Sequence, residues 1–231
     1  MNIRSFTANA DNRSRELIAA IFNPKTSTDA YRKAMYQLGQ RLGLVLASKI
    51  PQGKNNECCV ACTVEDADYL AAGFIEALEQ SRQDLAIHLA CFWNEPSFDA
   101  HDMKEFDVSR IIKTYKEPTG DKSYLIVLKS IISGGCVVAT NITHLIGTMN
   151  PEKIYIVAPL MLSDSPKRLR KHFGQLVRRF DYINLATDSE RARGVNVYQS
   201  YGWQDADDKN VAVPKIVELR RERLIGGSAT S

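Results

Sequence analysis

The stretch from Ser123 to Thr148 reads SYLIVLKSIISGGCVVATNITHLIGT, and its chemistry is concentrated in Ser133-Gly134-Gly135-Cys136-Val137. Two adjacent glycines leave peptide N–H groups open to close approach, because no Cβ stands between backbone and ligand. A helix starting just after them would aim several N–H groups and its positive end at one point. That is the chemistry of anion binding, and of phosphate in particular. The Ser133 hydroxyl and, more weakly, the Cys136 thiol could add donors. The same pair also suits a plain tight connection, and the residues alone leave both readings open.

A second charged stretch runs from Ser165 to Arg179. Lys167, Arg168, Arg170, Lys171, Arg178 and Arg179 surround Leu169, Phe173, Leu176 and Val177. A basic amphipathic helix of this kind can meet phosphates, nucleic acid or an acidic protein, or it can be a solvated face. The five cysteines are Cys58, Cys59, Cys62, Cys91 and Cys136. Cys59 and Cys62 form a CxxC, but no second pair or matching histidines complete a zinc site. Cys58 to Val64 therefore reads as a buried strand in which cysteine is a small apolar residue.

These residues need a scaffold. Tyr124 to Leu128 is an unbroken apolar run, the pattern of a strand covered on both faces. Cys58 to Val64, Leu85 to Trp93, Lys153 to Leu162 and Asp181 to Ala186 read as further strands. Helical spacing marks Arg15 to Phe22, Asp29 to Lys49, Tyr69 to Leu78, Val137 to Ile146 and Pro214 to Leu224. Strands alternating with helices predict an α/β fold, a mostly parallel sheet flanked by helices. Its ligand would sit beyond the carboxyl ends of the strands. We expect a single domain over 1–231, with 1–24 as an N-terminal extension and the polar stretch 94–122 as a hood or lid.

Bulk properties narrow the class. The chain has 231 residues, a net charge of +3 and an ordinary apolar share. That charge is too small to argue nucleic-acid binding by itself. No apolar run is long enough to span a bilayer, and the polar N-terminus lacks the apolar segment of a secretion signal. The expectation is a cytoplasmic protein without a membrane partner.

Several separated pieces together resemble the type I phosphoribosyltransferases, and among them the uracil phosphoribosyltransferases. Thr26 to Leu42 is similar to the family's first long helix, and Ala71-Ala72-Gly73-Phe74-Ile75-Glu76 to its glycine–leucine–leucine–glutamate helix start. Ser133-Gly134-Gly135-Cys136 falls on the Thr-Gly-Gly-Thr that holds a 5′-phosphate. Gly202-Trp203-Gln204-Asp205-Ala206-Asp207-Asp208-Lys209 is similar to the C-terminal Gly-Leu-Gly-Asp-Ala-Gly-Asp-Arg. The resemblance implies phosphate contacts from Ser133 through Val137, and a base near Ser200, Tyr201, Trp203 and Ala206. It further implies Mg²⁺ at Asp205, and Asp205, Asp208 or Glu65 stabilising an oxocarbenium-like transition state. Homo-oligomers are common in the family.

The departures point away from ordinary salvage. The acidic residue that binds ribose hydroxyls in the family is replaced by Leu128, followed by Lys129. The diphosphate loop becomes Glu65-Asp66-Ala67-Asp68-Tyr69. Carboxylates facing a diphosphate would repel it by about 4 kcal/mol per close pair at an effective dielectric near 20, unless Mg²⁺ bridged them. The resemblance then implies pentosyl transfer or N-glycosidic cleavage on a less anionic ligand, a nucleoside, mononucleotide or NAD. The alternative is a non-catalytic nucleotide-sensing or scaffolding subunit, as in bacterial anti-phage (retron-type) complexes, contacting nucleic acid through the basic helix.

Overall fold

The computed structural model describes residues 4–53, 56–95, 109–120, 124–190, 200–201 and 212–227. In chain order the strands are β1 (Arg4–Phe6), β2 (Asn56–Thr63), β3 (Leu85–Glu95), β4 (Arg110–Lys116), β5 (Tyr124–Leu128), β6 (Ile131–Ile132), β7 (Ile154–Leu162) and β8 (Phe180–Asp188). The helices are α1 (Asn12–Ile21), α2 (Thr28–Ala47), α3 (Val64–Asp66), α4 (Ala72–Ser81), α5 (Cys136–Ile146), α6 (Ser165–Phe173) and α7 (Lys215–Gly227). A π-helical turn, Ala67–Ala71, joins α3 to α4.

The sheet order is β1-β8-β7-β5-β2-β3-β4, with β6 beside β7. Strands β8, β7, β5, β2 and β3 are mutually parallel. The two edge strands, β1 and β4, are antiparallel to their neighbours. Taken in chain order, the parallel strands run 2-1-3-4-5 across the sheet. The order reverses between β2 and β5, and in open α/β sheets that reversal opens a crevice at the carboxyl ends of the two strands.

One side chain in two along each central strand points to each face, so the sheet has two cores. Cys58, Val60 and Cys62 face a layer with Leu17 and Ile18 of α1, Met35, Leu38 and Leu42 of α2, Phe74 of α4 and Val217 of α7. Cys59 and Ala61 face the opposite layer, with Val138 and Ile142 of α5 and Leu169 of α6. All four cysteines of β2 and β3 are buried free thiols that pack as small apolar residues.

In the stretch expected as an N-terminal extension, Arg4–Phe6 adds a strand to β8 and α1 enters the core. In the stretch expected as a hood or lid, Arg110–Lys116 pairs with β3 as an edge strand. Residues 96–108 lie outside the described residues. Among the described residues no helix is long and apolar enough to cross a membrane.

Helices α2 and α4 cross at their glycines. A Cβ on Gly39 would lie 2.1 Å from the Leu70 carbonyl oxygen, and one on Gly73 would lie 2.1 Å from that of Tyr36. Neither backbone can retreat without moving a helix. Gly39→Ala should cost about 1–3 kcal/mol in urea unfolding, the range for overpacking. Gly147→Ala, whose Cβ would make only ordinary contact at 3.4 Å, should be close to neutral.

Candidate functional site

Helix α5 begins where the sequence placed it. Gly135 is its N-cap at φ 85°, a left-handed conformation that disfavours any side chain. Gly135 supplies no side-chain cap to the helix, and the first turn's N–H groups have no intrahelical partner by construction. The loop ahead of α5 is held from outside. Ser165 Oγ donates to the carbonyls of Ile132, at 3.1 Å, and Ser133, at 2.6 Å. Leu169 packs against the Gly135 α-carbon, where a Cβ would meet its Cδ2 at 3.3 Å. Ser133, Gly134, Cys136 and Val137 remain partly exposed, so an anion can reach this helix end.

At the carboxyl end of β2 there is no open loop. Thr63 ends the strand and α3 starts at Val64, with Glu65 and Asp66 in its first turn. Carboxylates there neutralise the positive end of their own helix. Lys129, the first residue after β5, reaches across the strand-order reversal. Its Nζ donates to Asp66 Oδ2 at 2.6 Å and to Glu65 Oε1 at 3.2 Å. Asp66 is fully buried, Glu65 is 5% exposed and the Lys129 side chain 12%. Asp66 also accepts from Thr63 Oγ1, the Ser130 N–H and the Tyr201 hydroxyl. The buried Glu65 Oε2 has no hydrogen-bond partner among the described residues.

The third carboxylate, Asp68, caps α7 by accepting from the N–H groups of Lys215 and Ile216. All three acids of Glu65-Asp66-Ala67-Asp68 are therefore committed within the fold. Glu65, expected among the catalytic carboxylates, is engaged by Lys129 rather than standing free over a substrate. The sequence showed both halves of this pair, carboxylates after one buried strand and a lysine after another. What joins them is the adjacency of β2 and β5, which a linear reading does not supply.

Tyr201 brings a distant part of the chain to the same place. Its hydroxyl donates to Asp66 Oδ1 at 3.1 Å. Its ring stacks on Tyr69 and meets Tyr31 edge-on. Arg32 grips its carbonyl oxygen through two N–H groups. The ring is fully buried, so it offers no open face to a base. Ser200 is partly exposed. Trp203, Asp205, Ala206 and Asp208 lie outside the described residues. A groove of about 390 Å³ opens on the α2 side of this stack, lined by Arg32, Lys33, Tyr36, Gln37, Gln40 and Tyr69. None of its lining belongs to the phosphate loop.

Magnesium, the ion implied by the resemblance, does not fit the Glu65–Asp66 pair. The ammonium of Lys129 already fills the place between the carboxylates, 2.6 Å from Asp66 and 3.2 Å from Glu65. Among the described residues no cluster of three His, Cys, Asp or Glu could hold a metal. The expected basic helix is broken. It runs Ser165–Phe173, turns at Gly174 and continues as a 3-10 segment to Arg179. Lys167, Arg168, Arg170, Lys171 and Arg178 are exposed. Arg168 pairs with Asp164, and Arg179 binds Asn150 and the Pro151 carbonyl.

No family model and no curated protein matches the chain. Among solved structures, the AQ2163 protein of Aquifex aeolicus superposes with a TM-score of 0.57 at 12% identity, over 76% of this chain and 83% of that one. The two share a fold. Hypoxanthine phosphoribosyltransferase from Staphylococcus aureus superposes with a TM-score of 0.42 at 18% identity, covering 57% of this chain and 65% of that one. The hypoxanthine-guanine enzyme of L. donovani gives 0.46 at 10% identity, with 66% and 77% covered. Superpositions this partial carry no functional weight.

Asp66→Asn leaves Lys129 paired with Glu65 but sets a buried amide against the donors that Asp66 accepts from, and should cost about 1–3 kcal/mol in urea unfolding. Burial, then the Asp66 charge, pushes the Tyr31 and Tyr201 hydroxyls above the ordinary value of 10.0. A raised folded-state value means the contribution to stability is complete below pH 10 and is lost as pH climbs past it. Stability should fall in the alkaline range, and Tyr201→Phe should make that fall shallower.

Proposed function

We propose that this chain is a phosphoribosyltransferase-like protein that binds a ribose-phosphate or nucleotide ligand in the crevice between β2 and β5. It would be diverged from nucleobase salvage. The observation that carries the reading is the bare N-terminus of α5. Its cap is a left-handed glycine that supplies no side-chain cap, and it follows β5, one of the two strands that flank the reversal of strand order. Phosphate at a helix N-terminus is held by backbone donors and the dipole together, so it needs no cationic side chain.

Two further observations support a sugar-bearing ligand over free phosphate. The chain order of first long helix, glycine pair and aspartate segment resembles that of the type I phosphoribosyltransferases. Tyr201, directly ahead of Gly202-Trp203-Gln204-Asp205-Ala206-Asp207-Asp208-Lys209, is anchored on Asp66. The proposed chemistry is displacement at the ribose anomeric carbon. The bond to the departing group breaks as a bond to a base nitrogen or water oxygen forms. With Glu65 engaged by Lys129, positive charge on the sugar would fall to Asp205 or Asp208 to stabilise.

Calorimetric titration with UMP tests the binding step. UMP should bind, and Gly135→Val should weaken it by about tenfold or more, the loss of roughly one good hydrogen-bonded contact, while circular dichroism shows the chain still folded. Equal affinity in the two proteins would remove the helix end from the site.

A further inference from the structure

Type I phosphoribosyltransferases, as the resemblance has them, hold a diphosphate over the loop after the strand that corresponds to β2. Here that position is a helix start with two carboxylates in its first turn. A diphosphate approaching it would find no glycine-rich turn of free N–H groups and a helix end already neutralised from within. It would also find Glu65, Asp66 and Lys129 with a combined charge of −1. Both carboxylates are nearly or fully buried. A buried carboxylate keeps its charge only when it is paired or well hydrogen-bonded. Asp66 meets that demand with four donors. Glu65 meets half of it, through Lys129 at Oε1, while Oε2 has no donor among the described residues.

We infer that Lys129 is the crevice's resident cation, standing in place of a divalent metal, and that the crevice accordingly takes a ligand with a single phosphate, a nucleoside monophosphate or ribose 5-phosphate. This rests on the phosphate reading of α5, and it assigns the Glu65 side of the crevice to the neutral sugar. A ribose hydroxyl is a donor of the kind that the unpartnered Glu65 Oε2 lacks. The residue that binds ribose hydroxyls in the family is an acid at the end of the β5 strand. Leu128 has lost that function, and Glu65, held from across the crevice by Lys129, is placed to recover it. The ammonium is a fixed point charge with three donors. Unlike a hydrated metal ion it leaves with no chelator and needs no coordination shell.

The test has two arms on the full-length chain. Calorimetry with ribose 5-phosphate, UMP and phosphoribosyl diphosphate, in Mg²⁺ or in EDTA, reads ligand and metal dependence. Titration with Mn²⁺ followed by electron paramagnetic resonance, on the natural chain and on Glu65→Gln, reads metal binding directly. UMP and ribose 5-phosphate should bind equally in Mg²⁺ and EDTA, with the diphosphate no tighter than ribose 5-phosphate. Glu65→Gln should leave any Mn²⁺ uptake unchanged. The same variant should weaken ribose 5-phosphate by about tenfold, one charged hydrogen bond's worth, while inorganic phosphate is unaffected. Binding that needs Mg²⁺, a diphosphate preferred tenfold or more, or Mn²⁺ uptake lost in Glu65→Gln would each overturn the assignment. If phosphate and UMP fail to bind at all, the reading of α5 falls, and the Mn²⁺ arm still decides the role of Lys129. Should Glu65→Gln not fold, Lys129→Met replaces it. Mg²⁺ should then raise that variant's melting temperature, and no such rise counts against Lys129 as the resident cation.

Discussion

A buried ion pair across the reversal of strand order is the constraint on which the rest of this molecule depends. Lys129 follows one central strand and Asp66 follows its neighbour, and 2.6 Å separates their charged atoms. Glu65, beside Asp66, adds a second charged contact to the same ammonium at 3.2 Å. Asp66 also collects the hydroxyl of Tyr201, from much later in the chain. Three regions distant in sequence thus meet on one carboxylate, and the crevice takes its shape from them. A pair this deep has little room to be merely stabilising, since desolvation opposes most of its attraction. Its contribution is to fix which groups face the ligand and which do not.

The acidic run after β2 changes meaning once the fold is in view. Read along the chain, Glu65, Asp66 and Asp68 are three carboxylates where a diphosphate-binding loop would stand, and they look either hostile to phosphate or in want of magnesium. In the structure their roles separate, since two share Lys129 and the third caps α7. The anionic demand of the site then falls on α5 alone. Its cap is set by the left-handed glycine and its approach by Leu169 and Ser165 of α6. The opposite faces of the sheet divide the labour. Helices α2 and α4 brace the Asp66 side, and α5 and α6 build the phosphate side.

The central strands were legible because burial on both faces writes itself as an unbroken apolar run. Tyr124 to Leu128 and Ile154 to Leu162 have that form. So was α5, whose Val138 and Ile142 keep helical spacing and lie in the core. Strands β1 and β4 were not legible. The first has three residues, and the second, Arg110–Lys116, carries three cationic side chains on an edge where only one face needs cover. The cysteines of β2 read correctly as apolar because the strand is covered on both faces and no second cysteine pair or matching histidines stood near them in the chain. Of the site, the glycine pair was visible from type and spacing. The coupling of Lys129 to Glu65 and Asp66 was not, because it depends on strand order rather than on any local pattern.

The central claim is that peptide N–H groups at the start of α5 hold a phosphate. Amide chemical shifts in a nitrogen-15-labelled sample report it residue by residue as inorganic phosphate is added. The account predicts saturable shifts centred on Gly134 through Val137, with smaller ones at Lys129 and Ser130. Shifts confined to the exposed basic residues between Lys167 and Arg178, or none at the glycine pair at any phosphate concentration, would contradict it.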